Sequence, residues 1–285
     1  ISSLSSSSAA SDVYKRQVIG NPIGHTKSPL IHGLFAQSCG QQIEYSAIEG
    51  SASDFAGDVA RFQAQGGRGM NITAPFKLQA FELATQPSER SRLARAANAF
   101  KFEGDAVLAE NFDGVGLLRD IEHNLGQPLA GRRVLLLGAG GAVRGALLPF
   151  LAAGPAHLVL ANRDMAKARV LESEVNDPRL LLSTYEDLAG QSFDLVINAT
   201  SASLTGELPP VPEAVFGNAA LAYELAYGKG LTPFLQVARK AGVSTLADGV
   251  GMLVEQAAEA FAWWRGVRPQ TCLLYTSPSP RDQRG

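Results

Sequence analysis

Two rhythms of apolar residues alternate along this chain. Short runs read as strands: Val18 to Gly20, Ile43 to Ile48, Met70 to Thr73, Ala106 to Leu108, Arg133 to Leu137, His157 to Ala161, Leu180 to Leu182, Asp194 to Asn198 and Ala220 to Tyr223. Between them, apolar positions recur at helical spacing. These stripes are Ile31, Leu34 and Phe35; Phe55, Val59 and Phe62; Lys77 to about Leu83; and Leu117, Leu118, Ile121 and Leu125. Ala146-Leu147-Leu148 and Met252 to Trp264 continue the pattern. Asn21 to Gly24 and Gly66 to Gly69 read as turns, and Ala247 to Gly251 as a glycine hinge. Strands alternating with helices predict an α/β fold with a parallel, doubly wound sheet.

The most telling segment is Arg133 to Gly145. An apolar strand breaks into glycines and continues as a helix. Gly138, Ala139, Gly140, Gly141 and Ala142 let the backbone approach a phosphate, and amides at the helix start bind it. The third fingerprint glycine would fall at Val143, so the pattern is incomplete. The next strand ends in Asn162-Arg163, where an arginine accommodates a ribose 2′-phosphate. The chain therefore reads as a binder of a phosphorylated dinucleotide, NADP.

Composition narrows the class. The 285 residues are 46% hydrophobic and 18% charged with net charge −2, which suits one large or two smaller globular domains. No basic stripe suggests nucleic acid, and no apolar run is long enough for a membrane span. Two cysteines, Cys39 and Cys272, make no disulfide framework, so a cytoplasmic setting is expected. No His/Cys cluster has metal-ligand spacing. The serine-rich stretch 1–17 and the segment 271–285 resemble translated adapter sequence, and both are expected to be disordered, non-native tails.

Three polar segments precede position 113. In Gly24 to Pro29, the hydroxyls of Thr26 and Ser28 at a helix start suit a carboxylate. The plain alternative is Ser28 as N-cap, with Pro29 at the first helical position. In Asn71 to Lys77, Asn71 and Thr73 share a strand face. Lys77 opens the next helix, where the macrodipole disfavours a cation, unless it simply projects into solvent. The third comprises Asn98 and Glu110 to Gly114, where Asp113 is either a functional carboxylate or a helix cap.

These segments, in this order, resemble the shikimate dehydrogenase family. Matching stretches include Gly20-Asn21-Pro22-Ile23, Lys27-Ser28-Pro29, Asn71-Ile72-Thr73, Pro75-Phe76-Lys77, Asp113 to Leu118 and Gly138 to Ala142. They continue with Asn162-Arg163, Ile197 to Ser201, Thr232 to Leu235, Asp248-Gly249 and Gly251 to Ala258, so the likeness runs from about 18 to 270. The resemblance implies reversible NADPH-dependent reduction of 3-dehydroshikimate to shikimate, in the pathway to aromatic amino acids. It implies an N-terminal α/β substrate domain, 18–113 with 249–270, and a Rossmann-type NADP-binding domain, 114–248. It implies a monomer or homodimer.

The resemblance also assigns roles. Lys77 is the acid/base lysine and Asp113 its partner. Thr26 and Ser28 take the substrate carboxylate, while Asn71, Thr73, Asn98 and Gln256 hold the ring hydroxyls and orient the lysine, and Tyr227 matches a substrate-contacting tyrosine. Gly138 to Ala142 cradle the pyrophosphate. Asn162, Arg163 and Lys167 match the 2′-phosphate region, and Leu225, Gly249 and Met252 the nicotinamide. Four positions depart from the family's usual residues: Thr26 and Phe112 replace serine and threonine, and Ala99 and Asp164 replace threonines. A bulky Phe112 would reshape the substrate pocket. Asp164 would repel a 2′-phosphate or accept from a ribose hydroxyl, which leaves NAD use open. The alternatives are a quinate/shikimate dehydrogenase with relaxed cofactor choice and a catalytically silent module that senses NADP or a metabolite.

Overall fold

The computed structural model describes residues 14–228 and 230–272. The expectations for 1–13 and 273–285 lie outside the described residues. The first half comprises β1 (Tyr14–Gly20), α1 (Ser28–Ser38), β2 (Ile43–Glu49), α2 (Phe55–Ala64), β3 (Gly67–Ile72) and α3 (Lys77–Leu83). It continues with β4 (Gln86–Pro87), α4 (Glu89–Ala94), β5 (Ala99–Glu103), β6 (Ala106–Glu110) and α5 (Asp113–Arg119). Its six strands lie in the order β2-β1-β3-β5-β6-β4.

This sheet is mixed. β1 runs parallel to β2 and β3, but β5 is antiparallel to both β3 and β6. The β5–β6 hairpin closes on the Glu103–Ala106 pair, with Gly104 in the left-handed region at φ +57°. Only β6 of that hairpin is expected from the apolar pattern. A second difference lies at the start. β1 begins at Tyr14, so residues 14–17, expected to belong to a tail, pair with Ile43 to Ser46 of β2. At the other end, Thr271 donates to the Glu255 carboxylate.

The second half comprises β7 (Arg133–Leu137), α6 (Gly141–Ala152), β8 (His157–Ala161), α7 (Met165–Val175), β9 (Leu180–Ser183) and β10 (Leu195–Asn198). It ends with α8 (Ala202–Thr205), β11 (Leu221–Glu224), α9 (Pro233–Lys240), β12 (Thr245–Asp248) and α10 (Val250–Arg265). This sheet is wholly parallel, in the order β12-β11-β10-β7-β8-β9. Helices cover both faces, which is why β7 is apolar at every position from 134 to 137. Val134 and Leu136 enter one core cluster, and Leu135 and Leu137 enter the other. β12 occupies part of what reads in sequence as a glycine hinge, and α10 starts two residues before Met252.

Two glycines of α5 bind the halves together. A Cβ on Gly114 would stand 2.0 Å from the Gly145 carbonyl of α6, and one on Gly116 would stand 2.6 Å from the Gln256 amide of α10. α5 can therefore lie against both helices at backbone contact only because neither position carries a side chain. Beyond α5 the chain makes a π-helical turn, Asp120–Asn124.

Candidate active site

Lys77 is the first residue of α3, where the helix dipole opposes a cation by about 0.3–1 kcal/mol. A carboxylate from another element offsets this: Lys77 Nζ donates to Asp113 Oδ2 at 2.6 Å. Asp113 is 8% exposed and does not cap α5 with its side chain. Its other oxygen accepts from Asn98 Nδ2 at 2.8 Å, and that nitrogen also reaches Gln256 Oε1 at 3.3 Å. Asn98 Oδ1 accepts the Phe112 amide, and Asn111 Oδ1 accepts the Asp113 amide. Both orienting side chains are buried, so the Asp113 carboxylate is fixed from its backbone and its side chain at once.

At the start of α1 the N-cap position is Lys27, not Ser28. No side chain caps α1; just before it the Thr26 Oγ1 accepts the Ser28 amide at 3.3 Å and donates to Ser28 Oγ at 3.2 Å. Two hydroxyls thus meet where a carboxylate was expected to bind. Asn71 on β3 is joined to Asn98 by Nδ2 to the Asn98 carbonyl, 3.3 Å. Thr73 follows the strand, and its methyl lies against Gly20.

Residues matched to the cofactor all lie past the carboxyl ends of parallel strands, where open α/β sheets bind ligands. Gly138 follows β7, and its φ of +110° is one that glycine tolerates. It faces the Ala199 carbonyl beyond β10, at the point where strand order reverses between β7 and β10. Gly140 and Gly141 have open space where a Cβ would point, and no side chain caps α6. Free helix amides beside open space fit a pyrophosphate. Past β8, Arg163 and Lys167 are exposed. Asn162 Nδ2 donates to the Asp164 carbonyl, while the Asp164 carboxylate caps α7 at the Ala166 amide and lies 3.7 Å from Lys167 Nζ. Past β11 and β12, Gly249 leaves no room for a Cβ against the Leu225 carbonyl, and the Met252 amide donates to the Tyr223 hydroxyl.

One expectation, that Phe112 reshapes the substrate pocket, meets a different arrangement. Phe112 is 4% exposed, packed with Ala99, Ala260 and Trp264 and edge-on to Trp263, so its bulk goes into the core under α10. Tyr227 is 52% exposed and makes no hydrogen bond among the described residues.

Other residues were missed in sequence. Asp120 accepts from the Tyr223 hydroxyl at 2.7 Å, and Gly251 gives it room. Burial pushes the Asp120 carboxyl above its ordinary value despite the Asn124 and Tyr223 hydrogen bonds. Glu224 is fully buried and accepts from Asn198, Thr232 and the Ala226 amide, which ties together the ends of β10 and β11. Tyr45 was also missed, because half-buried aromatic residues are common in edge strands; only the fold reveals that its hydroxyl donates to Asn71 Oδ1 at 2.6 Å.

Reversal of strand order beside a glycine turn, with an ammonium–carboxylate pair next to the following helix, defines a dinucleotide-dependent oxidoreductase. Residues 18–100 match the family described as shikimate dehydrogenase substrate binding domain, 120–205 the shikimate / quinate 5-dehydrogenase family, and 249–271 the shikimate 5′-dehydrogenase C-terminal domain. The shikimate dehydrogenase (NADP(+)) of Nitrosospira multiformis is 53% identical over 262 residues, 92% of this chain and 94% of that protein. The enzyme of the same name from Dechloromonas aromatica is 51% identical over 265 residues, 93% and 96% of the two chains. Among solved structures, an Ael1 enzyme from Pseudomonas putida is 71% identical, with TM-score 0.90 over 92% of this chain and 96% of that one. Shikimate 5-dehydrogenase from Thermus thermophilus, in complex with NADP(H) and shikimate, is 28% identical with TM-score 0.80 over 91% and 96%. This chain belongs to the shikimate dehydrogenase family.

Proposed function

We propose that the protein catalyses the reversible NADP-dependent interconversion of 3-dehydroshikimate and shikimate. The observation that carries this reading is the Lys77–Asp113 pair, held by Asn98 and Gln256 beside the helix that follows the glycine turn. NADPH, when bound, supplies the hydride for the ring carbonyl. As negative charge grows on the carbonyl oxygen, the Lys77 ammonium stabilises it and delivers a proton. Positioned proton transfer of this kind contributes about 10²–10⁴-fold. Asp113 fixes the direction of the ammonium and accepts from a substrate hydroxyl. In the reverse direction Lys77 takes the proton back.

Thr26 and Ser28 hold the carboxylate in this reading, Asn71, Thr73, Asn98 and Gln256 the ring hydroxyls, and Tyr227 contacts the substrate. Gly138 to Ala142 bind the pyrophosphate. Arg163 and Lys167, with Asn162, receive the 2′-phosphate, and Leu225, Gly249 and Met252 border the nicotinamide. The substrate half is residues 18–113 with 249–270, and the cofactor half is 114–248. No helix among the described residues is long and apolar enough to cross a membrane.

The test is absorbance of reduced cofactor, with shikimate or quinate as substrate and NADP or NAD as acceptor. Shikimate with NADP is expected to give the highest kcat/KM. Cofactor binding without turnover of either acid would refute the assignment and favour a sensing module.

A further inference from the structure

Tyr223, the third residue of β11, has its ring in the core and its hydroxyl at the start of α10. That start has no side-chain cap from Gly249. The amides of Val250, Gly251 and Met252 precede the first intrahelical bond, from Leu253 to the Gly249 carbonyl. The Asp248 carboxylate takes the Val250 amide at 3.3 Å. The Tyr223 hydroxyl takes the Met252 amide at 3.2 Å, from another element 29 residues away.

The directions of these bonds are fixed. An amide only donates, so Tyr223 accepts from Met252 and gives its one proton to Asp120 Oδ2 at 2.7 Å. Asp120 is itself held from the π-helical turn. Its Oδ1 accepts from Asn124 Nδ2 at 2.8 Å, and that nitrogen also reaches Glu255 Oε1 of α10 at 3.0 Å. A Cβ on Gly251 would stand 2.0 Å from Asp120 Oδ2, so the carboxylate lies against the α10 backbone, where the positive end of the helix dipole favours it. Tyr223 is fully buried and Asp120 nearly so, which makes both bonds costly to leave unmade.

α10 carries two contacts of the proposed site. Met252 borders the nicotinamide, and Gln256, one turn further along the same helix, reaches Asn98 and through it Asp113. We infer that Tyr223 is a positioning residue for hydride transfer: anchored on Asp120, its hydroxyl fixes where α10 begins against β11, and so keeps the Met252 border of the nicotinamide in register with the Lys77–Asp113 pair. The inference rests on the proposed function. In that reading the pyrophosphate and the 2′-phosphate are held at α6 and past β8, far from this contact in sequence. Loss of the hydroxyl therefore misaligns the nicotinamide without releasing the cofactor.

The experiment is Tyr223→Phe, which keeps the buried ring and removes the hydroxyl. Protein saturated with NADP is mixed rapidly with saturating shikimate, or with shikimate deuterated at the carbinol carbon, and NADPH formation is followed through one turnover. The rate constant reads the chemical step, and the amplitude counts competent sites. The rate constant is expected to fall about tenfold, the scale of one lost hydrogen bond, and deuterium to slow it further. Calorimetric Kd values for NADP and shikimate are expected to stay within about threefold. Without ligands, amide hydrogen exchange at Met252 is expected to quicken about tenfold. An unchanged rate constant, with or without a lower amplitude, would overturn the inference and leave Tyr223 a structural residue. So would a slowed rate that deuterium does not affect, a weaker NADP Kd with a normal rate constant, or unchanged exchange at Met252. Absence of NADPH formation by the unchanged protein would instead overturn the proposed function, and the inference with it. Should Tyr223→Phe not fold, Asp120→Ala, which takes away the acceptor of the Tyr223 proton, replaces it: a slower, deuterium-sensitive rate supports the inference and an unchanged rate refutes it.

Discussion

Lys77 and Asp113 come from elements 36 residues apart and meet at 2.6 Å, with the lysine side chain 35% exposed and the aspartate 12%. The partial exposure is what a proton-transfer pair requires: one side is bound to the protein, and the other is open to substrate. Lys77→Ala is expected to lower kcat by about 10²–10⁴-fold. Asp113→Asn should cost less, because the Asn98 contact can be kept by rotation of the amide. Asp113→Asn should melt close to the unchanged protein, whereas Lys77→Ala leaves the buried Asp113 carboxylate with Asn98 but no cation, so its midpoint should fall modestly. Steady-state kinetics with circular-dichroism melts check both claims; a large fall in midpoint with normal kcat in the survivors would mark the pair as structural.

Asp164 bears on cofactor choice. Its carboxylate is drawn to the Ala166 amide at the start of α7 and toward Lys167, so part of its charge is already answered. Asp164→Ser keeps a capping oxygen and removes the charge. The ratio of kcat/KM for NADP over NAD should then rise roughly two- to fivefold, the scale of an exposed charge interaction of about 0.2–1 kcal/mol. A fall in that ratio would show that the carboxylate assists the bound ribose phosphate region.

Much of this arrangement was legible in the residues. β7 could be read because its four consecutive apolar positions feed cores on both faces of a parallel sheet. Lys77 and the glycine turn stood out because each is chemically out of place in its local setting. What could not be read depends on partners far away in sequence. β5 carries Lys101 and Glu103 among its apolar residues, and only pairing with β3 and β6 makes it a strand. β12 is half-buried throughout and lacks an apolar face. Asp113 reads equally well as a cap until Asn98 and Lys77 are brought to its two oxygens.

The polar start of β1 is a further case, and it has an energetic consequence. Arg16 is 3% exposed, its Nε and the Gln17 amide nitrogen are buried without hydrogen bonds, and no carboxylate among the described residues pairs with it. Its guanidinium lies 5.2 Å from the Trp264 ring, a cation–π contact that recovers only part of the desolvation cost. Burial, then the neighbouring Arg265 charge, lower its pKa to about 10. Arg16→Met keeps the length of the side chain and removes the charge. It is expected to stabilise the fold by about 1–4 kcal/mol, as replacement of buried ions by apolar residues commonly does. Urea unfolding measures this directly; a destabilised variant would mean that the cation–π contacts outweigh burial.

His32 predicts an acid limit to stability. It is fully buried in α1, stacked on Tyr45 and in contact with Phe35, Phe261 and Trp264, and neither ring nitrogen has a hydrogen bond of normal geometry. Burial lowers its pKa from 6.5 to about 3; Asn71 opposes this weakly and Arg16 adds to it. Between those values the unfolded chain binds a proton that the native state refuses. Stability from this group is therefore complete above pH 6.5, declines as pH falls, and levels off below about pH 3. At about 1.4 kcal/mol per unit, the full loss is on the order of 5 kcal/mol. His32→Phe keeps the ring stack and removes the titration. Between pH about 6.5 and about 3 the unfolding free energy of the unchanged protein should fall more steeply than that of the variant, which has no imidazole to charge. Parallel pH curves for the two proteins would show that His32 is already reached by water or protonated in the native state.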